Sequence, residues 1–361
     1  MNKRNYNIAI DVSPLTDGNS TRGVGFYTKN LVAALQKEIA SNPHYQHFHI
    51  QLVTDNSHLT TDFDLIHYPF FDPFKKTLVP NNIPTIITVH DLIPREFKKH
   101  FPVGLKGEIN WQIQKYNLLK TDYIITVSNY SKYSIHKLTN YPLDKIYVTY
   151  EAPSFKVPKF NSSLAKKIKT KYHLPDKFIL FVGDINWNKN IPSLVRACLK
   201  LKYPLVIVGK SAANPNTPIH PWTKDIVYLQ KQAKDNSAIL LVGFIPDEEL
   251  PYFYKLATLY CQPSFAEGFG LTPVEAMACG CPVIYSQESS LWEIMDFNGI
   301  YFDPYKPGDL EYLLKKMWLD KKLRSKYSQL GIKRSKYFNW QYTAIQTLSV
   351  YQLALSNSHE K

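Results

Sequence analysis

Short runs rich in Ile, Val and Leu alternate, along almost all of the 361 residues, with stretches whose apolar positions recur at helical spacing. A strand covered on both faces needs such a run, and a parallel neighbour is reached only through a crossover, usually a helix. The alternation therefore predicts an α/β chain built on parallel sheets wrapped by helices. NIAIDV (7–12), HFHIQLVT (47–54), DLIHYP (64–69), PTIITVHDL (84–92), DYIITVS (122–128) and KIYVTYEA (145–152) read as strands of a first half. Helical periodicity covers 25–40, 105–120 and 129–139. In the second half FILFVGDI, PLVIVGK, AILLVGF, TLYCQPS, PVIYS and GIYFDP are strands separated by helices, and 309–318, 323–338 and 340–355 close the chain as helices.

The length suits two domains, each able to bury its own core. Between 152 and 176 the text turns to Pro, Ser and Lys, which places a boundary there. The reading is an N-terminal doubly wound domain over 1–155, a linker over 156–175 and a second doubly wound domain over 176–338. Ligands of such sheets bind beyond the carboxyl ends of the strands, so the loops after strands carry the functional weight.

Composition excludes several classes. A hydrophobic share of 44% with 20% charged residues fits a folded soluble chain, with neither a membrane-length apolar run nor a secretory leader, so a cytoplasmic protein is expected. Cys198, Cys261, Cys279 and Cys281 lack the spacing and histidines of a zinc site and read as reduced thiols, the C-G-C pair as packing or a turn. The net charge of +13 is spread, with 18 Lys and Arg against 13 Asp and Glu up to residue 160 and 25 against 17 beyond it. Spread charge suits weak attraction to an anionic membrane and argues against a nucleic-acid groove. REFKKHF (95–101) interleaves cations with rings and is a candidate for lipid contact, though a solvated loop with two buried rings is the simpler reading.

The most chemical stretch is EGFGLTPVEAMACGCPVI (267–284). Thr272, Pro273 and Glu275 form a capping-box pattern at N-cap, N1 and N3, and Gly280 followed by Pro282 ends the helix. Glu275 is thereby accounted for as a cap. Glu267, Gly268 and Gly270 are not, and glycines before a helix N-terminus suit a phosphate approached by backbone N–H groups. A carboxylate beside that phosphate would need hydroxyls to bond, and a sugar supplies them.

E-G-F-G-L-x-P-x-E-A-M-A-x-G-x-P-V resembles the E-x7-E signature of the retaining family-4 glycosyltransferases. The likeness extends to R-G-V-G-F-Y-T, V-H-D-L-I-P, T-V-S-N-Y-S, F-V-G-D-I-N-W-N-K-N, V-G-F-I-P-D-E-E-L and a late F-N-W. It implies the GT-B fold, two Rossmann-like doubly wound domains with an interdomain cleft, and a last helix (about 340–361) crossing back to the first domain. It implies that Glu267 bonds hydroxyls of a donor hexose and Glu275 the ribose. The amides of Phe269, Gly270, Leu271 and Thr272, beside Gly268, would hold sugar and diphosphate. Lys189 takes the diphosphate-binding lysine position, and His90, at a strand's carboxyl end, the place of a histidine against the donor sugar, with Asp91 able to orient it. Gly23 and Gly25 match the loop approaching the donor phosphates, and Gly209, Lys210, Phe244 and Ile245 lie where the nucleobase is held.

Two positions depart from the family, since Asp184 and Asn188 stand where relatives often carry arginine. Trp187, Lys210 or Arg22 could compensate. D-F-D at 62–64 resembles a metal-binding motif of another fold and reads as structural here. The expectation is a metal-independent retaining hexosyltransferase needing no cofactor, with GDP-mannose as the first donor and a UDP-sugar as the second. The acceptor would be a glycan or lipid-linked hydroxyl, met at the inner face of the cell membrane. The competing readings are a catalytically weak sugar-nucleotide-binding partner subunit and a nucleotide-sugar epimerase.

Overall fold

A computed structural model describes residues 4–16, 23–54, 62–79 and 81–357. The chain forms two compact units, the first from Met1–Glu96, Val103–Ser154 and Phe338–Lys361, the second from Phe97–Pro102 and Phe155–Tyr337. Each holds one six-stranded sheet in which the strand pairs are parallel.

In the first unit β1 (Tyr6–Asp11) is followed by α1 (Gly23–Ser41), β2 (Phe48–Val53), β3 (Leu65–Tyr68) and β4 (Thr85–Thr88). The short α2 (Ile93–Glu96), then α3 (Gly104–Leu118), β5 (Tyr123–Thr126), α4 (Asn129–Thr139) and β6 (Ile146–Val148) complete its first passage. The spatial order is β2-β1-β3-β4-β5-β6, so the sheet reverses its winding between β1 and β3. β3, β4 and β5 are buried along their length, which is why their sequences are continuous apolar runs rather than alternations. Ser128 caps α4 by accepting from the Ser131 amide, and Asn140 ends it in the left-handed conformation at φ 63°.

The second unit contains α5 (Ser162–Lys171), β7 (Ile179–Val182), α6 (Ile191–Leu201), β8 (Leu205–Val208), α7 (Lys224–Asp235) and β9 (Ile239–Val242). It continues with α8 (Leu250–Leu256), β10 (Leu259–Gln262), α9 (Leu271–Ala278), β11 (Val283–Ser286), α10 (Ser290–Met295), β12 (Ile300–Phe302), α11 (Asp309–Leu319) and α12 (Lys321–Ser335). Its order, β12-β11-β10-β7-β8-β9, is the Rossmann winding with the switch point between β7 and β10. Phe181, Leu194, Ile207, Cys261 and Ile284 join strands and helices in its core. The chain then returns to the first unit as α13 (Trp340–Asn357), whose Ala344, Leu348 and Tyr351 pack with Tyr27, Leu31 and Leu35 of α1. The Trp340 indole N–H donates to the Pro153 carbonyl at 3.0 Å and the Thr343 hydroxyl to that of Tyr150 at 2.7 Å, fixing the start of α13.

Two sequence expectations need correction. The 156–175 stretch is not a linker: Asn161 caps α5, and Ala165 and Ile168 of that helix are buried in the second unit. Lysines on its outer face disguised an amphipathic helix as a polar connector. Gly23 and Gly25 are not loop residues either, because both lie in the first turn of α1, with Gly25 buried.

Candidate functional site

At the switch point of the second unit the segments after β7 and β10 leave neighbouring strands side by side. The first carries Lys189 and the second Glu267, and the fold turns these residues, 78 apart in sequence, toward each other. Lys189 Nζ donates to Glu267 Oε1 at 2.8 Å and to Oε2 at 2.7 Å, with Glu267 6% exposed. Oε1 also accepts from Gln262 Nε2 and from the Ser264 hydroxyl, both at 2.6 Å. The Gln262 amide is itself turned: the hydroxyls of Tyr260 and Thr272 sit against its oxygen, leaving its NH2 for Ser264 and Glu267. Burial keeps the Tyr260 phenol protonated, its pKa pushed far above the ordinary value, with Glu267 adding to burial and Thr272 opposing it. Ser289 accepts from the Glu267 amide at 2.7 Å, and Ser290 donates to the carbonyls of Glu267 and Phe269 at 2.9 and 3.0 Å. The Glu267 carboxylate is thus held on several sides, Oε1 by Lys189, Gln262 and Ser264 and Oε2 by the ammonium.

The capping box does not form. α9 starts at Leu271, two residues early, because Gly270 adopts a left-handed conformation at φ 97° and is itself the N-cap. A Cβ there would stand 2.7 Å from Leu291 Cδ2, so no other residue fits without strain. As N-cap, Gly270 offers no side chain to the amides that open this helix. Gly268, Phe269 and Gly270 are buried, while Leu271 and Thr272 in the first turn are half-buried. Glu275 is not a cap: it lies 2% exposed in the body of α9 and accepts from the Tyr254 hydroxyl at 3.0 Å. Gly280 does end the helix, at φ 78°, with its amide on the Met277 carbonyl.

Asn188 explains one departure from the family pattern. Its side chain is buried and donates to the Ala266 carbonyl at 3.0 Å, while its own carbonyl accepts from the Phe265 amide at 2.7 Å. Asn190 donates to the Pro263 carbonyl at 3.0 Å, so two asparagines lock the Lys189 segment to the Glu267 segment. Trp187 lies stacked between His100 (ring centroids 3.6 Å apart) and Phe265 (5.1 Å), and Phe101 packs edge-on against Trp222. The rings of 95–101 therefore face protein, and the lipid contact entertained for that stretch is not made by them. Asp184 is exposed. Gly209 follows β8 and comes so close to Gly183 that a Cβ would run into the Gly183 carbonyl oxygen. Lys210 and Phe244 project outward, whereas Ile245 is buried. Arg22 lies outside the described residues.

His90 belongs to the first unit, two residues past β4. Its Nδ1 is 2.9 Å from Glu151 Oε1 and its Nε2 3.2 Å from the Pro69 carbonyl oxygen. Both neighbours offer acceptor oxygens, an arrangement that favours a proton on each ring nitrogen. Burial opposes that charge, but Glu151, the Pro69 carbonyl and Asp91 outweigh it and raise the His90 pKa above its ordinary value. The Asp91 carboxylate accepts from the Ile93 amide at 3.0 Å at the start of α2, while its charge supports the protonated ring. The orienting acid is Glu151, beyond the carboxyl end of β6. Deeper in, His67 bridges Tyr351 (2.7 Å) and Thr88 (2.8 Å), its pKa lowered to about 3, chiefly by burial.

Sequence reasoning missed Glu151, Gln262, Ser264, Ser289 and Ser290. Gln262, Ser264 and Glu151 are polar residues ending or following apolar parallel strands, a signal that was available. Asp64 accepts from the Asn7 amide and pairs with Arg4, as a structural reading of D-F-D requires. The four cysteines are free thiols, and burial pushes Cys279 up to about 12 and Cys281 well above its ordinary value, so the C-G-C pair is not an activated redox couple.

Comparison with known proteins bears on the family and the fold. The model of glycosyl transferases group 1 matches residues 165–334 and that of glycosyltransferase family 4 matches 36–152. The chain is 31% identical over 238 residues to O-antigen chain mannosyltransferase B of Escherichia coli, covering 64% of this chain and 60% of that protein. It is 27% identical over 305 residues to the serotype-specific mannosyltransferase WbdA of Escherichia coli, covering 80% of this chain and 36% of that one. The matched stretches thus span less than two thirds of these relatives. Sucrose-phosphate synthase from Thermosynechococcus elongatus superposes with a TM-score of 0.73 at 19% identity, over 98% of this chain and 100% of that one. HepE of Anabaena, solved with UDP and glucose, gives 0.72 at 16%, over 97% and 100%. At such identities these two speak to the fold alone, and that fold is GT-B. With one family model on each unit's sequence, the chain belongs to the group 1 and family-4 glycosyltransferases.

Proposed function

We propose that the chain transfers a hexosyl group, mannose from GDP-mannose in the first instance, to a hydroxyl of a glycan or lipid-linked acceptor, with retention of configuration and without a divalent metal. The observation that carries this reading is the Lys189–Glu267 pair, its carboxylate buried, beside the glycine-capped N-terminus of α9. A departing diphosphate needs fixed positive charge, and an ammonium with the amide end of a helix supplies it without reorganisation. On diphosphate binding the Lys189 ammonium shifts its charge toward the phosphates. Glu267, still held by Gln262 and Ser264, then turns Oε2 to the sugar hydroxyls. Glu275 contacts the ribose, and Gly209, Lys210 and Phe244 hold the base. The mannosyltransferases among the relatives support the choice of sugar. Asn188 supports turnover over the weak-partner reading, since its side chain is spent on locking the loop rather than being a lost cation.

The test is a thermal-shift series with GDP-mannose, UDP-glucose and their nucleotides, with and without EDTA, followed by a transfer assay on wild type and Glu267→Gln. Stabilisation by GDP-mannose that survives EDTA, and loss of transfer in a still-folded Glu267→Gln, are expected. A protein that answers to no sugar nucleotide, or a variant that transfers at the wild-type rate, refutes the reading.

A further inference from the structure

Helix α3 of the first unit is apolar on two faces. Its inward face buries Trp111 and Leu118 in the core beside two amides: Gln114 is fully buried and bonds both the Leu78 amide (2.9 Å) and carbonyl (3.2 Å), and Asn117 donates to the same carbonyl at 3.0 Å. Its outward face carries Leu105, Ile109, Ile113 and Tyr116, with Leu119 just beyond; Leu105 is 79% exposed, Ile109 52% and Tyr116 60%. At 100° per residue these five positions fall within one outer arc of the helix. A surface helix in water ordinarily carries charged or polar residues on that outer face.

The ridge is fringed with cations. Lys106 and Lys120 are exposed on or just after the helix, Lys120 lying over the Tyr116 ring at 4.2 Å. Lys75 and Lys76 are exposed on the segment that runs beside it, which is tied down where Asn110 donates to the Phe74 carbonyl at 2.8 Å. The only acid of α3 is Glu108, which pairs with Arg95 at 2.7 Å. No described helix is long and apolar enough to cross a membrane.

We propose that the outer ridge of α3 seats on an anionic lipid surface, with the apolar side chains entering the headgroup boundary and the lysines meeting lipid phosphates. Apolar side chains on a projecting helix with lysine edges suit a fluid interface that closes around them. A second copy of the chain would bring lysine fringe against lysine fringe, which disfavours self-association through this face. The inference deepens the proposed function, in that it names the surface from which a lipid-linked acceptor would be met, and it rests on that reading only for its purpose.

The experiment is co-sedimentation of the whole protein with vesicles of phosphatidylcholine alone and of phosphatidylcholine mixed with phosphatidylglycerol, without donor, at low and high salt. Wild type should bind the mixed vesicles and release as salt rises. Ile109→Glu with Ile113→Glu should lower the partition coefficient at least about tenfold, and Lys106→Glu with Lys120→Glu should remove the preference for phosphatidylglycerol. Both variants should melt at the wild-type temperature and keep the wild-type thermal response to GDP-mannose, and Leu319→Gln, an exposed apolar site of the second unit, should bind as wild type. Wild type that ignores both vesicles, or an Ile109/Ile113 variant that binds equally well, overturns the proposal. So does a wild-type dimer in solution that this variant dissolves. Lipid binding without any response to sugar nucleotides would instead leave this surface standing and sink the proposed reaction.

Discussion

Replacing Lys189 by Met tests the candidate site through its energetics before any substrate is known. The substitution leaves the Glu267 carboxylate 6% exposed, with neutral partners alone at Gln262 and Ser264. Breaking a fully buried ion pair on one side costs roughly 3–5 kcal/mol. The Lys189 side chain is 21% exposed, so water re-enters on its side and the cost falls to about 2 kcal/mol. For a unit of this size that lowers the melting temperature by roughly 4–8 °C. Glu267→Gln is milder, at about 1 kcal/mol, because the ammonium left behind reaches solvent and the new amide still accepts from Ser264. Combining the two removes the orphaned charge, so the double variant should melt above Lys189→Met alone, a coupling of about 1 kcal/mol or more. Differential scanning fluorimetry on the four proteins reads the cycle. Additive losses, or a Lys189→Met protein that melts with wild type, would show that the two groups do not share their charge as described.

Two further outcomes follow from the geometry. His90 gains a proton on folding, so its contribution is complete below the ordinary histidine pKa of about 6.5 and fades as pH rises through the raised folded value; Glu151→Gln should lose stability mainly at the acidic side and flatten the melting profile against pH, and superimposable profiles would refute the pair. Gly209→Ala should destabilise the second unit by about 1–3 kcal/mol, since its methyl meets the Gly183 carbonyl rather than a yielding side chain; a neutral effect in urea melts would show that the two strand ends can part freely.

Strands and helices were legible because burial on two faces forces long apolar runs, and β7 and β8 carry them without interruption. Glu267 and Lys189 stood out singly, yet their contact depends on which strands are neighbours, and periodicity is silent on strand order. The same limit hid Glu151, 61 residues from His90, and favoured the adjacent Asp91 by proximity alone. The T-P-V-E pattern fits a capping box as letters, but a glycine before it can turn left-handed and start the helix earlier, a choice decided by the packing of Leu291. For α3 the periodicity gave the helix but not its buried face, because apolar residues lie on both sides, Trp111 and Leu118 inside and Ile109 and Ile113 outside.

The return of α13 to the first unit sets an order on biogenesis. A ribosome finishes every strand of the second sheet before it releases the helix that covers Tyr27, Leu31 and Leu35. During that interval the nascent first half carries an uncovered oily flank, which makes chaperone holding, rather than autonomous early maturation, the natural fate of the amino-terminal portion.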